Sequence, residues 1–189
     1  MRGMPKILLS AALAAALFGC SPSFNIYEDN MFQGKRLLGR GEYAQARDDF
    51  VRAAQAQPDA YSYAFAATAS YKMNDLASAD RFIQEAMRLD GRTFSYLRIL
   101  GYRALILLAE GKQKEGLDAL HDYLVAYERA YPLTTISQVQ DMWNTGRVNL
   151  PLLELLLDEQ IRTYEDDIEQ FYSTGTGWYG DRYRRAFLP

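Results

Sequence analysis

The sequence predicts an all-α protein, a short stack of helical hairpins followed by further helices, and three observations lead there. No segment alternates apolar and polar residues at the two-residue period of a half-buried strand. A triplet of small and bulky residues stepping i, i+4, i+7 recurs along the chain: Ala46, Phe50 and Ala53, then Ala79, Ile83 and Ala86, then Gly116, Leu120 and Tyr123. That step places each triplet on one helical face. Finally, turn-forming residues punctuate each copy at the same place: Gly39-Arg40-Gly41, Asn74-Asp75 and Glu110-Gly111.

The helices follow in order. Three pairs are expected, 25–39 with 42–56, 60–73 with 75–89, and 93–109 with 112–129. Pro58 ends the second helix and Asp90-Gly91 the fourth. After Tyr131-Pro132 the pattern is lost. A short helix near 134–145 carries Ile136, Val139, Met142 and Trp143, with Gly146 as its stop. Asn149 and Pro151 open a long helix to about Tyr172. Its apolar stripe is Leu153, Leu157, Ile161, Tyr164, Ile168 and Phe171. Its other face is acidic, with Glu154, Asp158, Glu159, Glu165, Asp166, Asp167 and Glu169. Such a helix is expected to cap the open end of the stack and to leave its acidic face in solvent.

The run Gly41-x-Tyr43-x-x-Ala46-x-x-x-Phe50-x-x-Ala53-x-x-x-x-Pro58 resembles the second half of a tetratricopeptide repeat. Asn74, Leu76, Ala79, Ile83 and Ala86 repeat it 33 residues on; Gly111, Gln113, Gly116, Leu120 and Tyr123 follow after a further 37. Gly34, Ala67 and Ala104 sit at the small position of each first helix. The resemblance implies a solenoid of about three helix pairs with a concave face lined by the first helices. That face would present Glu28, Met31, Lys35 and Leu38, then Tyr61, Ala64, Thr68, Tyr71 and Lys72, then Arg98, Gly101, Leu105 and Leu108. Tyr61, Tyr71, Lys72 and Arg98 are the candidate partner-binding residues. The Lys/Asn set that clamps a C-terminal carboxylate in some members is missing, so a hydrophobic peptide or helix fits this face better.

The N-terminus carries a different signal. Arg2 and Lys6 precede an apolar run from Ile7 to Phe18, which leads into Leu17-Phe18-Gly19-Cys20. This resembles the lipobox of bacterial lipoproteins, and the apolar run is too short to span a membrane, which takes roughly 20 residues. The resemblance implies cleavage before Cys20, acylation of that cysteine, and tethering to a membrane by several chains. Ser21 after it resembles lipoproteins sent to the outer membrane, where the protein would face the periplasm. The chain thus divides into a leader over 1–19, a lipidated linker over 20–26, repeats over 27–131, capping helices over 132–172 and a tail over 173–189.

The mature chain would have 170 residues, with 19 basic against 24 acidic, a net charge of −5. Nucleic acid is a poor partner for such a balance. Cys20 is the only cysteine, so its acylation removes disulfides and thiolate metal sites. His121 is the only histidine and has no second ligand or nucleophile at helical spacing. Asp48/Asp49 and Asp166/Asp167 are expected on exposed faces. Gly175-Thr176-Gly177-Trp178-Tyr179-Gly180 fits G-x-G-x-x-G by letter, but a dinucleotide site needs a strand before it and a helix after it; here it reads as a flexible turn.

The tail sets Trp178, Tyr179, Tyr183 and Phe187 among Arg182, Arg184 and Arg185. Aromatics with arginine are the residues of interface hot spots, so Trp178, Tyr183 and Arg184 join the candidates; the tail could also fold back on the acidic helix or lie on anionic lipid. The expected function is that of an adaptor rather than an enzyme, without cofactor or metal. It would scaffold envelope proteins of a secretion, pilus or export machine. The alternatives are a pilotin-like chaperone for an outer-membrane channel subunit, a solute-binding lipoprotein, or an enzyme acting on cell wall or glycan.

Overall fold

A computed structural model describes residues 22–90, 95–131 and 136–181. The leader, Cys20, Gly91, Tyr183 and Arg184 lie outside them. The described residues form helices and connecting turns with no strand among them. The helices are α1 (Pro22–Gly39), α2 (Tyr43–Ala56), α3 (Ala60–Lys72), α4 (Leu76–Leu89), α5 (Tyr96–Ala109), α6 (Gln113–Ala130), α7 (Ser137–Thr145) and α8 (Leu150–Thr174). A helical turn over 177–181 follows. α1 starts earlier than its periodicity predicts, because Pro22 is tolerated in a first helical turn.

The first six helices pack as the pairs α1/α2, α3/α4 and α5/α6, with α2 against α3 and α4 against α5. One turn geometry joins the helices within every pair. Gly41, Asn74 and Gly111, the aligned positions, all take positive φ, at 78°, 59° and 77°. Their amides donate to Leu38, Tyr71 and Leu108, and the next amides donate five residues back, to Leu37, Ser70 and Leu107. That double closure is a left-handed helix cap, which glycine adopts freely and asparagine tolerates. Identical closure orients each second helix alike and superposes the buried triplets. Ala46, Phe50, Ala53, Ala79, Ala86 and Leu120 are fully enclosed, with Ile83 and Tyr123 beside them. Gly34 is small for a reason: a Cβ there would lie 2.6 Å from the Phe50 ring. Asp59 and Asp75 cap α3 and α4 by accepting the amides of Ser62 and Ser78.

α8 departs from expectation. It does not stop at covering the last pair but runs along the face shared by α1, α3 and α5, packing most closely on α5. Asn149 accepts the Leu152 amide at its start, and Gly175 ends it with φ 67°. Leu153, Leu157 and Ile161 are fully buried and Tyr164 nearly so. Of the acidic residues flanking that stripe, Glu165 is buried and Glu154, Asp158 and Asp167 are half-buried, while Glu159, Asp166 and Glu169 stay exposed as expected.

The glycine-rich segment is a turn, as expected, and a tight one. Gly175 and Gly177 both have positive φ. A Cβ on Gly177 would meet Asp167 at 2.5 Å, and one on Gly180 would meet the Gly175 carbonyl at 2.3 Å. The glycines let the chain reverse until the Trp178 and Tyr179 amides reach the Asp167 carboxylate.

Candidate functional site

The site is the groove along the first helices of the pairs, together with the helix that occupies it. At its centre Arg98 donates two hydrogen bonds to Glu165, from Nε at 2.8 Å and from Nη2 at 2.6 Å. Its third nitrogen, Nη1, donates to the Thr68 hydroxyl at 3.1 Å, and the guanidinium lies 4.0 Å from the centre of the Phe65 ring. Both charged side chains are only 9% exposed. Burial works against the charge on Arg98, but the adjoining Glu165 carboxylate more than offsets it and holds the guanidinium charged above its ordinary range.

Toward one end, Lys72 bonds both Glu154 and Asp158. Burial opposes its charge, and the two carboxylates reverse that and raise its pKa. Asp158 also accepts from the Tyr102 hydroxyl. Burial, with Asp158 second, pushes the Tyr102 phenol well up. Tyr123 donates to Gln160 at 2.9 Å across the same contact. Toward the other end, Lys35 pairs with Glu169 and lies over the Tyr61 ring.

These contacts correct the expectation of an open face. Lys72 and Arg98 do line the groove, but the chain's own α8 engages them. Tyr71 is buried with its ring edge-on to Tyr102; Tyr61 is half-buried and edge-on to Phe65. Met31, Ala64, Gly101 and Leu105 belong to the core. Glu154, Asp158, Glu165 and Glu169 read in the sequence as a solvated acidic face because each is one member of a charge run, and the neutral Gln160 carries no signal of its own. Their signal lay on the opposite wall: Arg98 interrupts the apolar run of α5, and a buried arginine requires a carboxylate.

Part of the groove stays open. A cavity of about 570 Å³ lies between α8 and the three pairs, with Arg98 and Tyr102 of α5 among its lining. Leu38, Tyr43 and Phe65 line one wall, and Leu155 and Arg162 the other. Leu155 is 64% exposed, so an apolar residue sits in water at the mouth.

The remaining candidates resolve as follows. Trp178 and Tyr179 fold back onto Tyr131 and Tyr164, with ring centres 5.5–6.2 Å apart, and the Tyr179 hydroxyl donates to the Ala130 carbonyl. Trp178 is therefore packed within the chain. His121 stacks on Trp143, 4.7 Å between centres. Asp49 is buried and pairs with Arg52, against the expectation of an exposed face. Among the described residues no group of three or more His, Cys, Asp or Glu could hold a metal, and no helix is long and apolar enough to cross a membrane.

No protein-family model matches the chain, and no curated protein resembles it closely enough to count as a relative.

Proposed function

We propose that the protein is a lipid-anchored adaptor of the bacterial envelope, built on a short tetratricopeptide-like solenoid and tethered through Cys20. The single observation that supports the repeat reading best is the turn repeated at Gly41, Asn74 and Gly111, with the same closure each time. Helical repeats of this kind bind through the surface their first helices share. Here α8 fills much of that surface, so docking falls to the open stretch between Leu38, Tyr43 and Leu155. That stretch is apolar at its walls and charged at its rim, which suits a segment with one or two large apolar side chains. A secretion, pilus or export machine is the kind of assembly such a part would scaffold. The membrane tether keeps it near its partners and raises their effective concentration.

The test is affinity recovery from crosslinked native membranes, with wild type beside Leu155→Glu. Leu155 is exposed, so the variant should fold. A defined set of envelope proteins recovered by wild type and lost in the variant supports the adaptor and its docking site. Nothing specific recovered by wild type refutes the adaptor. Recovery that survives Leu155→Glu moves docking elsewhere. The tether has its own test: Cys20→Ser should shift the protein from the membrane to the soluble fraction.

A further inference from the structure

We propose that the first turn of α1 is seated in the membrane interface, so that the solenoid stands fixed on the bilayer instead of swinging on a flexible leash. This rests on the acylation of Cys20 proposed above. Only Ser21 separates Cys20 from Pro22, where α1 begins. Even fully extended, that connection spans at most about 7 Å, at roughly 3.3–3.6 Å per residue. Once Cys20 is held at the acyl boundary, the start of α1 cannot leave the headgroup layer.

The residues that arrive there suit it. Tyr27 donates to Asp59, the N-cap of α3, which places Tyr27 level with the start of that helix. Residues 22–26 therefore extend beyond the start of α3. In that projecting turn Phe24 is 50% exposed and Ile26 is 49% exposed, on opposite sides of the helix. Apolar side chains on both flanks of one helix tip do not form a patch for a single protein partner. They do suit a tip immersed from all sides. Glu28 and Asp29, exposed on the next turn, set the water line. The immersed depth is about one turn, near 5 Å, the low end of what interfacial helices bury.

This seating orients the groove. Leu38 lies 16 residues along α1 from Pro22, roughly 24 Å at 1.5 Å per residue. With α1 steep to the membrane and its first turn immersed, the open cavity stands about 19 Å above the lipid.

The experiment uses the full-length lipoprotein purified from membranes and reconstituted in phospholipid nanodiscs. Acylation of Cys20 leaves no native thiol, so Phe24→Cys, Ile26→Cys and Phe32→Cys each give a unique labelling site. Phe32, 66% exposed and six residues beyond Ile26, is the water-side control. Each variant carries an environment-sensitive fluorophore, and nitroxide lipids are the quencher. Quenching severalfold greater at 24 and 26 than at 32 is the expected result. Equal, weak quenching at all three sites overturns the seating. So does a blue-shifted but unquenched label at 24 or 26, which would mean that protein covers the tip. Mass spectrometry of the same preparation separates the two ideas. An acylated Cys20 with unquenched labels refutes the seating alone, whereas an unacylated Cys20 refutes both the seating and the anchor.

Discussion

Removing the carboxylate of Glu165 while leaving Arg98 in place should be among the most damaging single changes in this protein. Both side chains are 9% exposed and joined by two hydrogen bonds, and among the described residues Thr68 supplies the only other bond to the guanidinium. In Glu165→Gln one neutral acceptor remains, but the charge on Arg98 stays buried without a counter-ion. Breaking one side of a buried pair costs about 3–5 kcal/mol. The retained amide puts this variant near the low end, ~3 kcal/mol, out of a total stability of about 5–15 kcal/mol. The double variant Arg98→Met/Glu165→Leu removes both desolvation penalties, and Thr68 keeps its bond to the Ala64 carbonyl, so nothing polar is orphaned. It should match wild type within ~1 kcal/mol or exceed it. Urea unfolding of the soluble Cys20→Ser mature chain, followed by far-ultraviolet circular dichroism, measures all three proteins. An exposed pair supplies the control: Glu169→Gln, opposite Lys35, should cost under about 1 kcal/mol. If Glu165→Gln costs no more than Glu169→Gln, water reaches Arg98 and α8 is not seated as described.

Other expectations follow from the same packing. Gly34→Ala drives a Cβ to within 2.6 Å of the Phe50 ring and should cost about 1–3 kcal/mol, whereas Gly39→Ala in the same helix meets nothing within 4 Å and should be neutral or slightly stabilising; thermal unfolding of the pair checks this. Tyr102 and Tyr123 are raised well above 10.0, by burial first, with Asp158 adding to Tyr102 and Tyr127 to Tyr123. The native chain keeps those protons above pH 10 while the unfolded chain releases them, so their contribution is whole below pH 10 and falls by ~1.4 kcal/mol per pH unit per tyrosine above it. Part of the phenolate absorbance during alkaline titration should therefore appear only with loss of helix; ionisation of all the tyrosines at fixed helicity would contradict it. Gly177→Ala combines a strained φ with a 2.5 Å approach to Asp167, so the 177–181 turn should detach and the Trp178 fluorescence shift to the red.

The helices, their pairing and the turns between them were legible in the sequence, and the seating of α8 was not. Gly41, Asn74 and Gly111 announce their turns because a left-handed cap is decided by a few consecutive residues. The triplets are equally local, since one helix fixes which face they share. The pairings that seat α8 span 67 residues for Arg98–Glu165, 82 for Lys72–Glu154 and 134 for Lys35–Glu169. Lys35, Lys72 and Arg98 were placed on the inner face and the acids on one helix, yet nothing local says that the inner face curves around that helix. The rule that charge runs are solvated fails for Glu154, Asp158 and Glu165, because Lys72, Arg98 and Tyr102 wait on the other wall.

Those donors also explain why α8 takes one position rather than sliding along an apolar trough. Its stripe alone specifies the seat weakly: Leu153, Leu157 and Ile161 are similar in size, and a shift of one helical turn would exchange one for the next. The polar contacts do not survive such a shift. Moving α8 four residues one way would set Ile161 against the buried Arg98 guanidinium, and moving it four residues the other way would bring Glu169 to Arg98 but set Arg162 beside Lys72 and Tyr102 in place of Asp158. The net worth of a buried pair is small, but the penalty for mispairing it is several kcal/mol. Apolar burial thus holds α8 in the groove and the ion pairs fix its register. A fixed register in turn fixes Leu155 and Arg162 opposite Leu38 and Tyr43, which gives the open cavity a constant shape. A double slip-permissive variant, Arg98→Met/Glu165→Leu, should keep its stability yet lose uniformity there, and a spin label at Leu155→Cys in the Cys20→Ser chain should then report more than one environment. A single narrow spectrum identical to that of the parent would show that the apolar stripe sets the register unaided.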